Sequence, residues 1–109
     1  MTTPLATAQI RQQESMVVLM TGHLPEIEAD TVATLMESHD INGANSHREW
    51  FVVSAGFVED GQEYNPLDKH ADTLPVLNSL ASDARKLGIR WLMFDADVSP
   101  TDGLAVYDW

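Results

Sequence analysis

The residues best placed by type and spacing to do chemistry are two carboxylates late in the chain. Trp91-Leu92-Met93-Phe94-Asp95-Ala96-Asp97-Val98 reads as an apolar strand ending in Asp95 and Asp97. Alternate residues of a strand point to one face, so the pair could act together on one substrate group. The structural alternative is that they accept hydrogen bonds from loop amides at the strand end. Other chemistry-bearing types are dispersed. His23, His39, His47 and His70 share no HExxH or other ligand spacing, so no metal site is expected, and they read as core or surface histidines. Gly22, Gly43, Gly56, Gly61, Gly88 and Gly103 each stand alone at turns, which leaves no phosphate-cradling loop. Ser15 and Ser54 lack the GxSxG context of a nucleophile elbow. Trp50, Trp91 and Trp109 read as core and strand anchors rather than ligand stackers, a reading that a surface Trp109 would change.

The segment from Trp91 to Val98 resembles the opening motif of the haloacid-dehalogenase phosphatases. That resemblance implies that Asp95 attacks a phosphoryl group, Asp97 acts as general acid/base and magnesium offsets the charge. The phosphatase family places this motif near the start of a longer domain, followed by further Lys and Asp motifs, whereas only twelve residues follow Asp97. A small magnesium-dependent phosphoryl-transfer or hydrolytic enzyme is therefore the alternative reading, and no catalytic residue, cofactor or metal is assigned.

The elements that must position these groups follow from apolar periodicity. Residues 1–14 are polar and read as a flexible or short helical lead-in to a single domain over 15–109. Met16 to Met20 is a continuous apolar run, a strand buried on both faces. Pro25 opens a helix predicted over 25–39, with Glu26, Glu28 and Asp30 near its positive end and Val32, Leu35, Met36 and His39 on one side. Residues 40–46 are the most loop-like stretch. Trp50 to Val58 is β-branched and aromatic, a strand with a possible bulge at Gly56, and Asp60-Gly61 turns it back toward a short edge strand at Glu63-Tyr64. Thr73 is placed to cap a second helix carrying Leu77, Leu80, Ala81, Ala84 and Leu87, ended by Gly88. Strands over 89–96 and 104–109 complete the order β-α-β-α-β-β. The expected class is α/β (α+β), a small mixed sheet of four to five strands with two helices.

Charge bounds the partners. The 109 residues carry 17 Asp and Glu against 6 Lys and Arg, a formal net charge of −11, with 44% hydrophobic content. The apolar fraction excludes a disordered acidic tail, and the charge argues against direct nucleic-acid binding, which needs a basic patch. The absence of cysteine removes disulfide scaffolds and Cys-based zinc sites and suits a reducing cytoplasm. Neither a membrane span nor an export signal is recognisable, so a soluble protein is expected. The acids are unevenly placed: six lie between Gln12 and His47 and five between Glu49 and Asp68, with no Lys or Arg in either stretch. A fold of this length spans about 34 Å, over which duplex DNA carries roughly 20 charges. Eleven are enough to imitate a nucleic acid if they share a face, and too few if spread evenly.

Thr21-Gly22-His23-Leu24-Pro25 leading into an acidic helix, and Trp91 to Asp97 followed by Asp102-Gly103-Leu104-Ala105-Val106-Tyr107-Asp108-Trp109, resemble an uncharacterised bacterial family, the domain-of-unknown-function family 5983, over residues 16–109. Ala105 stands where that family usually has Pro. The resemblance implies a genetic context on plasmids, prophages and genomic islands beside counter-defence genes. Size, charge and that context are similar to those of small acidic inhibitors that occupy the nucleic-acid channels of CRISPR or restriction complexes. The leading expectation is therefore a non-enzymatic, monomeric, cytoplasmic anti-CRISPR-type inhibitor, a DNA mimic. It would bind the basic nucleic-acid-binding surface of a CRISPR or restriction effector complex and block target DNA. Its contacts would be Glu26, Glu28, Asp30, Glu37, Asp40, Glu59, Asp60, Glu63, Asp68 and Asp72. An accessory protein of a toxin-antitoxin locus, binding a basic protein, is a further alternative.

Overall fold

In a computed structural model that describes residues 14–46 and 49–109, apolar runs become strands and amphipathic runs helices. The chain forms β1 (Met16–Met20), a 3-10 turn (Thr21–His23), α1 (Glu26–Glu37), β2 (Gly43–Ser46), β3 (Trp50–Ser54), β4 (Phe57–Glu59) and β5 (Gln62–Tyr64). A second 3-10 turn (Asp68–His70), α2 (Pro75–Lys86) and β6 (Trp91–Asp95) follow. Apart from Glu14, the lead-in expected over 1–14 lies outside the described residues, as does His47.

Four strands form a mixed sheet in the order β1-β6-β3-β2, with β1 parallel to β6 and the other pairs antiparallel. The expected two helices and mixed sheet are what the chain forms. One face of the sheet is buried beneath both helices: Leu19, Phe51, Val53, Leu92 and Phe94 meet Val32 and Met36 of α1 and Leu77, Ala81 and Ala84 of α2. Phe51 and Phe94 stack with ring centroids 4.8 Å apart. Each fully buried Leu or Phe stabilises the fold by about 1.5–3 kcal/mol, so this face holds most of the driving force. The opposite face carries Val18, Met93 and Val52 in one register row, exposed or half-buried. The run expected to be buried on both faces is therefore buried on one.

Three other expectations change. The strand expected over 50–58 divides at Gly56 (φ 82°), where a Cβ would lie 2.0 Å from the Tyr64 carbonyl oxygen. Past that break β4 pairs with β5 through the Asp60-Gly61 turn. The loop expected at 40–46 includes an edge strand, because β3 offers β2 a free ladder of backbone groups that overrides its weak β propensity. Residues 104–109, expected as a final strand, adopt no regular structure and dock through single hydrogen bonds.

Both helices end the same way. Gly88 (φ 75°) follows α2, with Ile89 N–H donating to Ala84 O at 2.8 Å; His39 (φ 62°) follows α1, with Asp40 N–H donating to Leu35 O at 2.9 Å. These are left-handed caps of the Schellman type, one on glycine and one on histidine. At its start α2 has Pro75 at N1 and no cap from Thr73, whose hydroxyl donates to His70 O instead. Arg85, 5% exposed, ties α2 to the hairpin: its guanidinium donates to Ala55 O at 2.8 Å and meets Glu63 Oε1 at 3.0 Å. Among the described residues no helix is long and apolar enough to cross a membrane.

Candidate functional site

The cap that α2 lacks locally comes from α1. Glu28 is 2% exposed, and its carboxylate accepts Val76 N–H at 3.1 Å and Leu77 N–H at 2.9 Å, satisfying two first-turn donors across the core. Counted among the acids of an exposed face, Glu28 is instead a buried internal cap, closed to any partner. The reason is angular. At about 100° per residue, Glu26, Asp30 and Glu37 fall within roughly 40° of one another, whereas Glu28 lies about 200° from Glu26, on the arc of Val32, Leu35 and Met36.

The remaining nine candidate acids are exposed. Glu26, Asp30 and Glu37 form one stripe on α1, with Asp40 just past its end. Glu59, Asp60 and Glu63 lie on the β4–β5 hairpin, and Asp68 and Asp72 on and after the second 3-10 turn. The fold thus gathers three acids on α1 with Asp40 just past it, and places the other five on the hairpin and at the second 3-10 turn. Among the described residues Lys69, between Asp68 and Asp72, and Lys86 are exposed bases, while the two arginines are held by the fold. Arg85 is buried against backbone and Glu63, while Arg90 lies over the Phe57 ring at 4.1 Å and meets Glu14 at 3.5 Å.

Beside the α1 stripe lies a cavity of about 150 Å³. Ala29 and Ala33, too short to fill the space, open it; Phe51 and Trp109 line it as rings, and Asp30 and Glu37 as carboxylates. Trp109 is 47% exposed, which changes its reading from strand anchor to surface ring. It is positioned by the C-terminal segment, which docks on the turn before α1. Trp109 Nε1–H donates to Leu24 O at 2.9 Å and Tyr107 N–H to Gly22 O at 2.8 Å. Buried His23 braces the same segment: Nε2 accepts Thr101 N–H and Nδ1 meets Ala105 O, both at 2.8 Å. A carbonyl only accepts and an amide N–H only donates, so these partners select the neutral ring with its proton on Nδ1.

Asp95 sits at the carboxyl end of β6, beside Met20 of β1, and is half-buried; Asp97 is exposed. Asp95 Oδ1 accepts Asp97 N–H at 2.9 Å, an Asx turn of the kind weighed as the structural reading of this pair. Ser15 Oγ–H donates to Gly88 O, and Ser54 Oγ accepts Gly56 N–H, so both hydroxyls brace turns. Among the described residues no group of three or more His, Cys, Asp or Glu is arranged to hold a metal.

Sequence reasoning missed the cavity, because its lining joins α1, β2 and β3 to Trp109, more than fifty residues further along the chain. The available signal was Ala29 and Ala33, small residues four apart beside Asp30 and Glu37. No curated protein and no solved structure matches the chain. The model of the C-terminal domain of the family of unknown function DUF5983 matches over residues 16–109, and the chain belongs to that family.

Proposed function

We propose that this chain is a non-enzymatic binding module, a counter-defence inhibitor of the anti-CRISPR type. It presents acidic side chains to the basic nucleic-acid-binding surface of a CRISPR or restriction effector complex and excludes target DNA. It acts as a monomer in the bacterial cytoplasm, with no cofactor and no direct hold on nucleic acid. The observation that carries this reading is the division of charge: nine of the ten candidate acids are exposed, against Lys69 and Lys86 as the exposed lysines among the described residues, while Arg85 is buried against Glu63 and Arg90 lies over Phe57 and meets Glu14. A rigid helix bearing Glu26, Asp30 and Glu37 in one stripe meets a positive groove without first ordering a flexible segment, which favours fast, salt-sensitive association.

The test uses the chain immobilised against purified effector complexes, with elution by stepped salt and, separately, by duplex DNA carrying the target sequence. Retention that duplex DNA competes away, and that falls at least tenfold in a Glu26→Gln/Asp30→Asn/Glu37→Gln chain, is the expected result. Binding untouched by DNA or by the triple substitution overturns the acidic-face reading.

A further inference from the structure

The cavity beside α1 combines features that an evenly solvated acidic surface does not need. Its volume, about 150 Å³, matches a cavity able to hold one benzene-sized planar group. Its lining combines two chemistries, the apolar Phe51 and Trp109 rings and the carboxylates of Asp30 and Glu37, which stand two turns apart on α1, with Asn45 beside them. Few side chains satisfy both at once. A lysine ammonium is a compact, strongly hydrated point charge that gains little from a flat apolar slot. A guanidinium is planar and weakly hydrated, stacks on aromatic faces and bonds carboxylates in a fork.

We infer that this cavity is an arginine-binding site, filled by an arginine side chain from the partner's basic surface. The inference rests on the acidic-face reading and adds the anchor to it. The α1 stripe supplies long-range attraction, and one arginine inserts beside Trp109 and fixes the register of the complex. Trp109 is held for this by its Nε1–H bond to Leu24 O, which leaves the ring 47% exposed at the opening.

The experiment follows the indole N–H resonances of the ¹⁵N-labelled full chain during titration with capped hexa-arginine and hexa-lysine peptides of equal charge. The Trp109 resonance is expected to shift saturably, with hexa-arginine binding about fivefold or more tightly than hexa-lysine. Trp50 and Trp91 serve as internal references. Glu37→Gln, an exposed substitution, should weaken hexa-arginine binding several-fold. Trp109→Phe, which keeps a ring, should retain more affinity than Trp109→Leu. A Trp109 resonance that does not move, or that moves equally with both peptides and survives Glu37→Gln, overturns the arginine site. The two readings separate cleanly: if Trp109→Leu loses the arginine preference but keeps full, DNA-competed retention of effector complexes, the anchor is wrong and the acidic face stands.

Discussion

Replacing Glu28 tests the internal architecture more sharply than any surface change. Glu28→Ala leaves Leu77 N–H buried without an acceptor, at about 1–3 kcal/mol. Val76 N–H, only partly buried, loses about 1 kcal/mol more as water replaces the carboxylate. Removing a negative charge from the α2 N-terminus adds about 0.3–1 kcal/mol. The total, roughly 3–4 kcal/mol, is a large part of the about 5–15 kcal/mol available to a domain. At roughly 4–8 °C per kcal/mol it lowers Tm by well over 10 °C. Glu28→Gln keeps one acceptor and turns an amide donor toward the other N–H, so it should cost about half as much. Glu26→Gln, on the exposed stripe two residues away, should stay within about 0.5 kcal/mol of the parent. Urea unfolding followed by circular dichroism measures all three, and hydrogen exchange at Val76 and Leu77 localises the damage. A Glu28→Gln chain as stable as Glu26→Gln would refute the trans-cap argument.

Three further outcomes follow from the same reasoning. Arg85→Ala should destabilise by about 1–3 kcal/mol, because it leaves the buried Ala55 carbonyl without its donor and frees the hairpin from α2. Glu63→Gln, whose side chain is 54% exposed, should cost under about 1 kcal/mol, and equal costs in urea unfolding would contradict this asymmetry. His39→Gly should stabilise by about 1 kcal/mol and Gly88→Ala destabilise by a similar amount, since both positions require a left-handed backbone; melting curves of the pair with matching signs would be contrary evidence. Asp95→Asn keeps an oxygen for Asp97 N–H, so Tm and effector retention should be unchanged; magnesium-dependent phosphoester hydrolysis by the parent chain that this variant abolishes would make the protein an enzyme.

Elements carried by their own periodicity are legible in the sequence. The apolar runs at 16–20 and 91–95 and the spaced Leu77, Ala81 and Ala84 each have one compact solution, and the Asp60-Gly61 signal placed the β4–β5 turn. Elements that depend on a neighbour are not. Gly43 to Ser46 has no strand pattern of its own and becomes one only because β3 presents an unpaired edge. Leu104 to Trp109 has the composition of a strand but finds no edge, and is captured by His23, Gly22 and Leu24, some 82 to 85 residues earlier. In both cases tertiary pairing decided what propensity could not.

The candidate face shows the same division within a single helix. Counting acids between residues 26 and 37 groups Glu28 with Glu26 and Asp30, and places all three near a helix N-terminus where negative charge is favoured. Turning the helix by about 100° per residue separates them, because Glu28 then falls among Val32, Leu35 and Met36. A carboxylate on an apolar arc must find buried donors, since an unpaired charge there is prohibitively costly. Periodicity therefore announces that Glu28 has a partner inside the fold, though not which one. Leu77 N–H is 49 residues away, and only the packing of α2 against α1 brings it to 2.9 Å. Glu26, Asp30 and Glu37 are left facing outward by the same rotation. The acid that fixes the two helices together and the acids offered to a partner thus belong to one helix, so a binding defect after Glu28 substitution should track lost folding, whereas one after Glu37 substitution should not.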